Sequence, residues 1–176
     1  MLRELLGPRR AEIAERWFED ALSAYPSRTV DVWRRERDRF ANPVGHALRE
    51  GTRAVLDALL DERGTDAVRD GLAEILKIRA VQQMPPATAV AFVFRLKSVI
   101  RTELGPALDH VQAFEELLEL DAGIDQAALA AFDLYVTYRE RLAELRIGEL
   151  KRNIPWAVAR AELAAAGTPI DEEEDG

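Results

Sequence analysis

The chain has 176 residues, no cysteine, 48% hydrophobic residues and a formal net charge of −8. That length suits one domain with a real core, and the lack of cysteine excludes disulfides, thiolate catalysis and cysteine-ligated zinc or iron–sulfur centres. Part of the negative charge sits in Asp171-Glu172-Glu173-Glu174-Asp175, so the remainder is mildly acidic and offers no concentrated basic face for nucleic acid.

The start, Met1-Leu2-Arg3-Glu4-Leu5-Leu6-Gly7-Pro8, lacks the apolar core of a signal peptide, and no apolar run is long enough for membrane insertion. A soluble, cytoplasmic protein is expected. Pro8 suits the first turn of a helix carrying Ile13, Trp17 and Leu22 to about Ala24, where Tyr25-Pro26 ends it. Ser27 or Thr29 is expected to cap a short helix with Val32, Trp33 and Glu36 that ends near Phe40. Arg34, Arg35, Arg37 and Arg39 interleave with Glu36 and Asp38, which reads as a solvated, salt-bridged helix face rather than a phosphate-binding surface.

Pro43 disfavours the helical region for Asn42 and suits the first turn of a new helix. That helix lines up Val44, Leu48, Gly51, Val55 and Leu59 and stops at Arg63-Gly64. Thr65 or Asp66 caps the next, with Val68, Leu72, Ile75 and Leu76 inward as far as Gln82. Pro85-Pro86 restarts the chain into a helix with Val90, Val93, Phe94, Ile100 and Leu104, closed by Gly105-Pro106. A helix over about 107–120 is expected to bury Val111, Phe114, Leu117 and Leu118. After Gly123, Asp125 is expected to cap the longest helix, which carries Phe132, Tyr135, Leu142 and Leu145 toward Asn153 and is bent or restarted by Pro155. The three tryptophans, Trp17, Trp33 and Trp156, are expected to pack helix junctions. The pattern predicts an all-α fold: one bundle of about seven helices over residues 1–165 with a long C-terminal helix, and an acidic disordered tail over 166–176.

Charged residues interrupt three apolar stripes. Lys97 fills a gap in Val90, Val93, Ile100 and Leu104, while Val68, Leu72 and Ile75 lead to Arg79 and Gln82, and Phe132 and Tyr135 lead to Arg139. A cation on such a stripe must snorkel, pair with an acid or bind an anion. Two readings follow: Arg79, Gln82, Lys97, Asp133 and Arg139 line a polar pocket for an acidic ligand, or the cations pair internally with Asp133, Glu140 or a carbonyl. His46 and Glu50 share a helix face, and His110 stands beside Asp109. Neither histidine has a glutamate three residues before it, so no di-metal bundle site is expected, nor is an axial haem ligand. Phosphate loops and nucleophile elbows are absent, and no cofactor or catalytic residue is assigned.

The run Arg37-Asp38-Arg39-Phe40-Ala41-Asn42-Pro43-Val44-Gly45, then Gly51 and Ile78-Arg79-Ala80-Val81-Gln82, resembles the N-terminal domain of RsbRD-type RsbT co-antagonists. Ala89 to Lys97, Ala131 to Tyr135 with Arg139-Glu140, and Leu145-Arg146 with Glu149 to Arg152 fit the same pattern, over most of residues 8–153. The resemblance implies a non-enzymatic regulatory module that receives a signal and is similar to a globin without haem. It also implies homodimers, and partners among STAS-domain and kinase proteins of stressosome-like assemblies. No STAS domain follows the module here, so a stand-alone form is expected. Arg39, Phe40, Asn42, Pro43, Gly45 and Gly51 are expected to be mainly structural. Two mechanisms stay open: a ligand near Arg79, Gln82 and Lys97 that shifts packing of the long helix, or a constitutive docking surface on Leu142, Leu145 and Leu150.

Overall fold

The computed structural model describes residues 2–36, 38–105 and 111–166, without the side chains of 111–113, 155, 157, 159 and 161–166. Of the expected tail over 166–176, residue 166 is helical and the rest, like Arg37 and His110, lies outside the described residues. Every regular element among the described residues is helical: α1 (Leu2–Leu6), a 3-10 turn (Gly7–Arg9), α2 (Arg10–Leu22), α3 (Ser27–Arg35), α4 (Pro43–Leu60), α5 (Gly64–Val81), α6 (Pro86–Leu104) and α7 (Val111–Ala166). Residues 1–139 make one compact unit and residues 140–176 a second.

Within the first unit, α2 packs against α4 and α6, and α4 against α5. From α2, Ile13, Trp17, Phe18 and Leu22 are fully buried, each side chain of this size contributing about 1.5–3 kcal/mol. Trp17 stacks on Phe92 at 5.8 Å between ring centroids. Its Nε1–H donates to the Phe92 carbonyl at 2.7 Å, satisfying the one polar atom that burial would otherwise strand.

The α4–α5 crossing depends on glycines. A Cβ on Gly51 would lie 2.6 Å from the Gly71 carbonyl oxygen and 2.6 Å from Ile75 Cδ1, and one on Gly71 would lie 2.8 Å from Val55 Cγ2. Neither backbone can carry a side chain at this approach.

The break before α4 is tied as well as turned. Asn42 Oδ1 accepts the Gly45 N–H at 2.8 Å, and its Nδ2 donates to the carbonyls of Trp33 at 3.1 Å and Glu36 at 2.9 Å. One buried amide therefore caps α4 and fastens the end of α3 to it. A Cβ on Gly45 would fall 2.1 Å from Asn42 Nδ2, which is why glycine suits that place.

Several expectations need correction. Pro8 lies in the 3-10 turn that precedes α2, behind a short helix the sequence reading omitted. The third helix ends at Arg35, not near Phe40, because the chain turns over 39–41 and brings Asn42 back to the end of α3; Phe40 is 83% exposed. Among the described residues of that arginine run, Arg34 alone makes ion pairs, with Glu19 at 2.7 Å and Asp31 at 3.6 Å. α5 begins at Gly64, before Thr65 and Asp66, and its start has no side-chain cap.

The two helices expected over 107–153 are one, since α7 runs through Gly123, Asp125 and Pro155. A glycine costs a helix only about 1 kcal/mol, and the buried stripe Leu117, Asp121, Ile124, Ala128, Ala131 and Tyr135 crosses it at alternating steps of four and three. Nor is Asp125 a cap, because its carboxylate receives Lys97. At Pro155 the missing N–H leaves the carbonyl of exposed Lys151, which water can satisfy. Phe94, Leu118 and Phe132 are exposed because each sits one position, about 100° of turn, past a buried neighbour: Val93, Leu117 and Ala131. Phe114 and Trp156 are exposed too.

Candidate functional site

Arg79 is the polar residue most committed to the core. It follows Leu72 and Ile75 on the buried stripe of α5 and is 0% exposed. Its Nη2 donates to the Ala21 carbonyl at 3.0 Å and its Nη1 to the Ala89 carbonyl at 2.8 Å. Ala21 lies in the last turn of α2, where carbonyls lack helical partners and the helix dipole favours a cation. The guanidinium also lies over the Phe92 ring at 4.4 Å and the Tyr25 ring at 5.6 Å. Burial pushes its pKa below the ordinary arginine value, with the neighbouring Tyr25 opposing that shift. Beside it is a recess of about 360 Å³ lined in part by Asp20, Ser23, Thr88 and Arg95.

Lys97 solves the same problem differently. Its Nζ bonds Asp125 Oδ1 at 2.7 Å, with the lysine side chain 19% exposed and the aspartate half exposed. One helical turn along, Arg101 pairs with Asp121. Two cations four residues apart on α6 thus meet two acids four residues apart on α7 in antiparallel order.

The other nominated residues divide between places. Arg139 Nη1 reaches the Ala80 carbonyl at 3.4 Å, Tyr135 donates its hydroxyl to the Met84 carbonyl, and Gln82 is exposed at the end of α5. Arg79, Gln82 and Arg139 therefore gather at the C-terminal end of α5. The Lys97–Asp125 pair is ten residues along α7 from Tyr135, about 15 Å of helix rise. Asp133 is exposed. Gln82, Lys97, Asp133 and Arg139 do not line the recess beside Arg79.

Sequence reasoning missed Tyr135 as a hydrogen-bonding group and the acids Asp121 and Asp125. A usable signal was present in the matched four-residue spacings of Lys97 with Arg101 and of Asp121 with Asp125.

A second concavity lies over the α4–α5 crossing, with a volume of about 830 Å³. Val44, Ala47, Gly51, Ala54, Gly71 and Ile78 give it an apolar lining. Glu50, Asp70 and Glu74 also border it, and Phe40 stands at one end beneath the Arg39 guanidinium at 5.0 Å. Of the six motif residues, Arg39, Phe40, Pro43 and Gly51 line this groove, while Asn42 and Gly45 form the cap beside it. His46 and Glu50 both border it, and among the described residues no group of three histidine, aspartate or glutamate side chains could hold a metal ion.

The second unit, described by itself, is helical over 140–166. Leu145, Ile147, Leu150, Ile154, Trp156 and Val158 are all exposed there, with Leu150 at 63%. Among the described residues no helix is long and apolar enough to cross a membrane.

The family model for the RsbT co-antagonist protein rsbRD N-terminal domain matches residues 11–150, and the chain belongs to that family of regulatory domains. No curated protein and no solved structure matches the chain.

Proposed function

We propose that the protein is a non-enzymatic, cytoplasmic signalling module that works by protein association through residues 140–166. The observation that carries this reading is the set of large apolar side chains exposed between Leu145 and Val158. Leaving six such groups in water forfeits burial worth about 1.5–3 kcal/mol each, so an associated state has much to gain. A homodimer is the simplest such state, and STAS-domain or kinase signalling proteins are the heterologous partners that the family suggests.

On ideal helical geometry of about 100° per residue, Leu142, Leu145 and Leu150 spread over an arc of about 140°. Ile147, Leu150, Ile154 and Val158 fall within about 80° of one another, and Leu142, Leu145 and Trp156 gather on the opposite side. Two partners, or two copies of one, can therefore be engaged.

A signal enters this scheme where α7 is fastened to α5, to α6 and to the segment between them, through Arg139–Ala80, Lys97–Asp125 and Tyr135–Met84. An acidic ligand near Arg79, Gln82 and Lys97 that binds one packing of α7 better than another would bias association. The constitutive alternative keeps the docking surface and dispenses with the ligand.

Sedimentation velocity of the full chain and of Ile147→Asp/Leu150→Asp tests association: the wild type is expected to be dimeric and the variant monomeric with an unchanged helical spectrum. A monomeric wild type would leave self-association without support. Thermal-shift measurements of wild type and Lys97→Ala with a panel of small carboxylates and phosphates test the ligand: a compound that raises Tm in the wild type only supports the pocket, and one that stabilises both equally contradicts it.

A further inference from the structure

We infer that the α4–α5 groove receives residues 145–158 from a second copy of the chain. The inference rests on the docking role given above to residues 140–166, and it names where that helix lands.

The groove and the helix are complementary in shape. Along α4 the groove runs from Pro43 to Ala54, eleven residue steps or about 16 Å of rise. Ile147 to Val158 is the same eleven steps on the incoming helix. The groove lining is unusually small-sided, with Ala47, Gly51, Ala54 and Gly71, so a third helix can come close and set Ile147, Leu150 and Ile154 between the two ridges. Phe40, 83% exposed at the end of the groove, gains apolar cover when a helix lies there.

Charge complementarity favours this occupant. Glu50 and Asp70 are exposed on the groove and have no ion-pair partner among the described residues, and Glu74 has only a 3.6 Å contact with Lys77 on its own helix. Between residues 145 and 160 the chain carries Arg146, Lys151, Arg152 and Arg160 against the single acid Glu149. Arg146 and Lys151 flank the Ile147, Leu150 and Ile154 face on its two sides, where they meet the acids that border the groove. Pairing two copies of the helix in parallel would instead set Arg146 of one beside Lys151 of the other at the seam, a repulsive arrangement.

The absence of native cysteine makes the test direct. A full-length chain carrying Ala143→Cys, one turn before Ile147 on the same helix face, is mixed with one carrying Ala47→Cys or Ala54→Cys in the groove, and the mixture is oxidised. A mixed disulfide dimer is expected with at least one of the two groove positions. Glu50→Lys/Asp70→Lys in the groove chain should reduce it at least tenfold, and Arg146→Glu/Lys151→Glu in the helix chain should restore it. Circular dichroism of each variant reports that it is folded.

If Ala143→Cys cross-links only to itself while the wild type sediments as a dimer, the groove is not the acceptor although the helix still docks. If the chain sediments as a monomer and no cross-link forms, both the groove assignment and self-association through 140–166 fail. A mixed cross-link indifferent to the charge reversals would overturn the electrostatic basis of the pairing.

Discussion

Arg79 and Lys97 are both cations set among buried apolar residues, Arg79 at the end of the stripe on α5 and Lys97 within the stripe on α6, yet the fold uses them in opposite ways. Arg79 is wholly enclosed and meets carbonyls; Lys97 stays at the margin and meets a carboxylate. The guanidinium is a planar fork with five donors, so two of its nitrogens can reach two helix carbonyls at once while its face rests on Phe92. An ammonium is a compact, strongly hydrated point charge that keeps some water and takes an acid within reach. The difference teaches that an apolar stripe with a cation in it does not announce a ligand site: the chemistry of the cation decides how the helix neighbours can satisfy it.

The sharpest way to break this comparison is to remove the buried fork. Arg79→Met should lower the unfolding free energy by about 3–5 kcal/mol, because the Ala21 and Ala89 carbonyls lose their donors in a closed core. Arg79→Lys should recover less than half of that, since one ammonium cannot span both carbonyls in the same geometry. Urea unfolding measures both, and a cost for Arg79→Met under about 1 kcal/mol would mean the contacts are dispensable.

Asn42 extends the comparison to a neutral buried amide. Asn42→Ala should cost about 1–2 kcal/mol, since the α4 cap and both ties to α3 go together. Asn42→Asp should keep the bond from the Gly45 N–H and lose the two donated ones, giving an intermediate urea midpoint. Equal midpoints for Asn42→Asp and wild type would show that the ties to Trp33 and Glu36 add nothing.

Lys97→Met is expected to have the smallest effect, within about 1 kcal/mol, because Asp125 is half exposed and water competes for the pair. Whatever loss occurs should shrink in high salt. A loss as large as that of Arg79→Met, unaffected by salt, would erase the distinction between the two cations.

Some of this was legible beforehand because it is local. Pro43 and the polar residue before it mark a helix start whatever the surroundings, and Asn42 is found doing what its side chain suits. The spacing of Leu72, Ile75 and Arg79 likewise places the arginine on the buried face of any helix that forms there. Gly123 and Asp125 carried equally local signals for a helix boundary, but a weak glycine penalty yields to a buried stripe that runs on past it. Pairing was illegible in a different way. Nothing near Lys97 names Asp125, twenty-eight residues away, whereas Asp133 and Glu140, candidate partners for Arg79, Lys97 and Arg139 alongside carbonyls, are exposed.

By itself the sequence determined the helical class, the start of α4, the inward faces of α2 and α5, the inward face of α6 apart from Phe94, and the family motif. These follow from periodicity of 3.6 residues and from the fixed backbone preferences of proline and its neighbours, which act over a few residues. Tertiary structure alone decided that α7 is continuous, that Gly51 and Gly71 set the α4–α5 crossing, and that Arg79 closes the end of α2 while Lys97 finds Asp125. Each of those depends on which surfaces meet across the core, where burial of a shared stripe outweighs a local helix-breaking signal and a polar group takes the partner that packing brings to it.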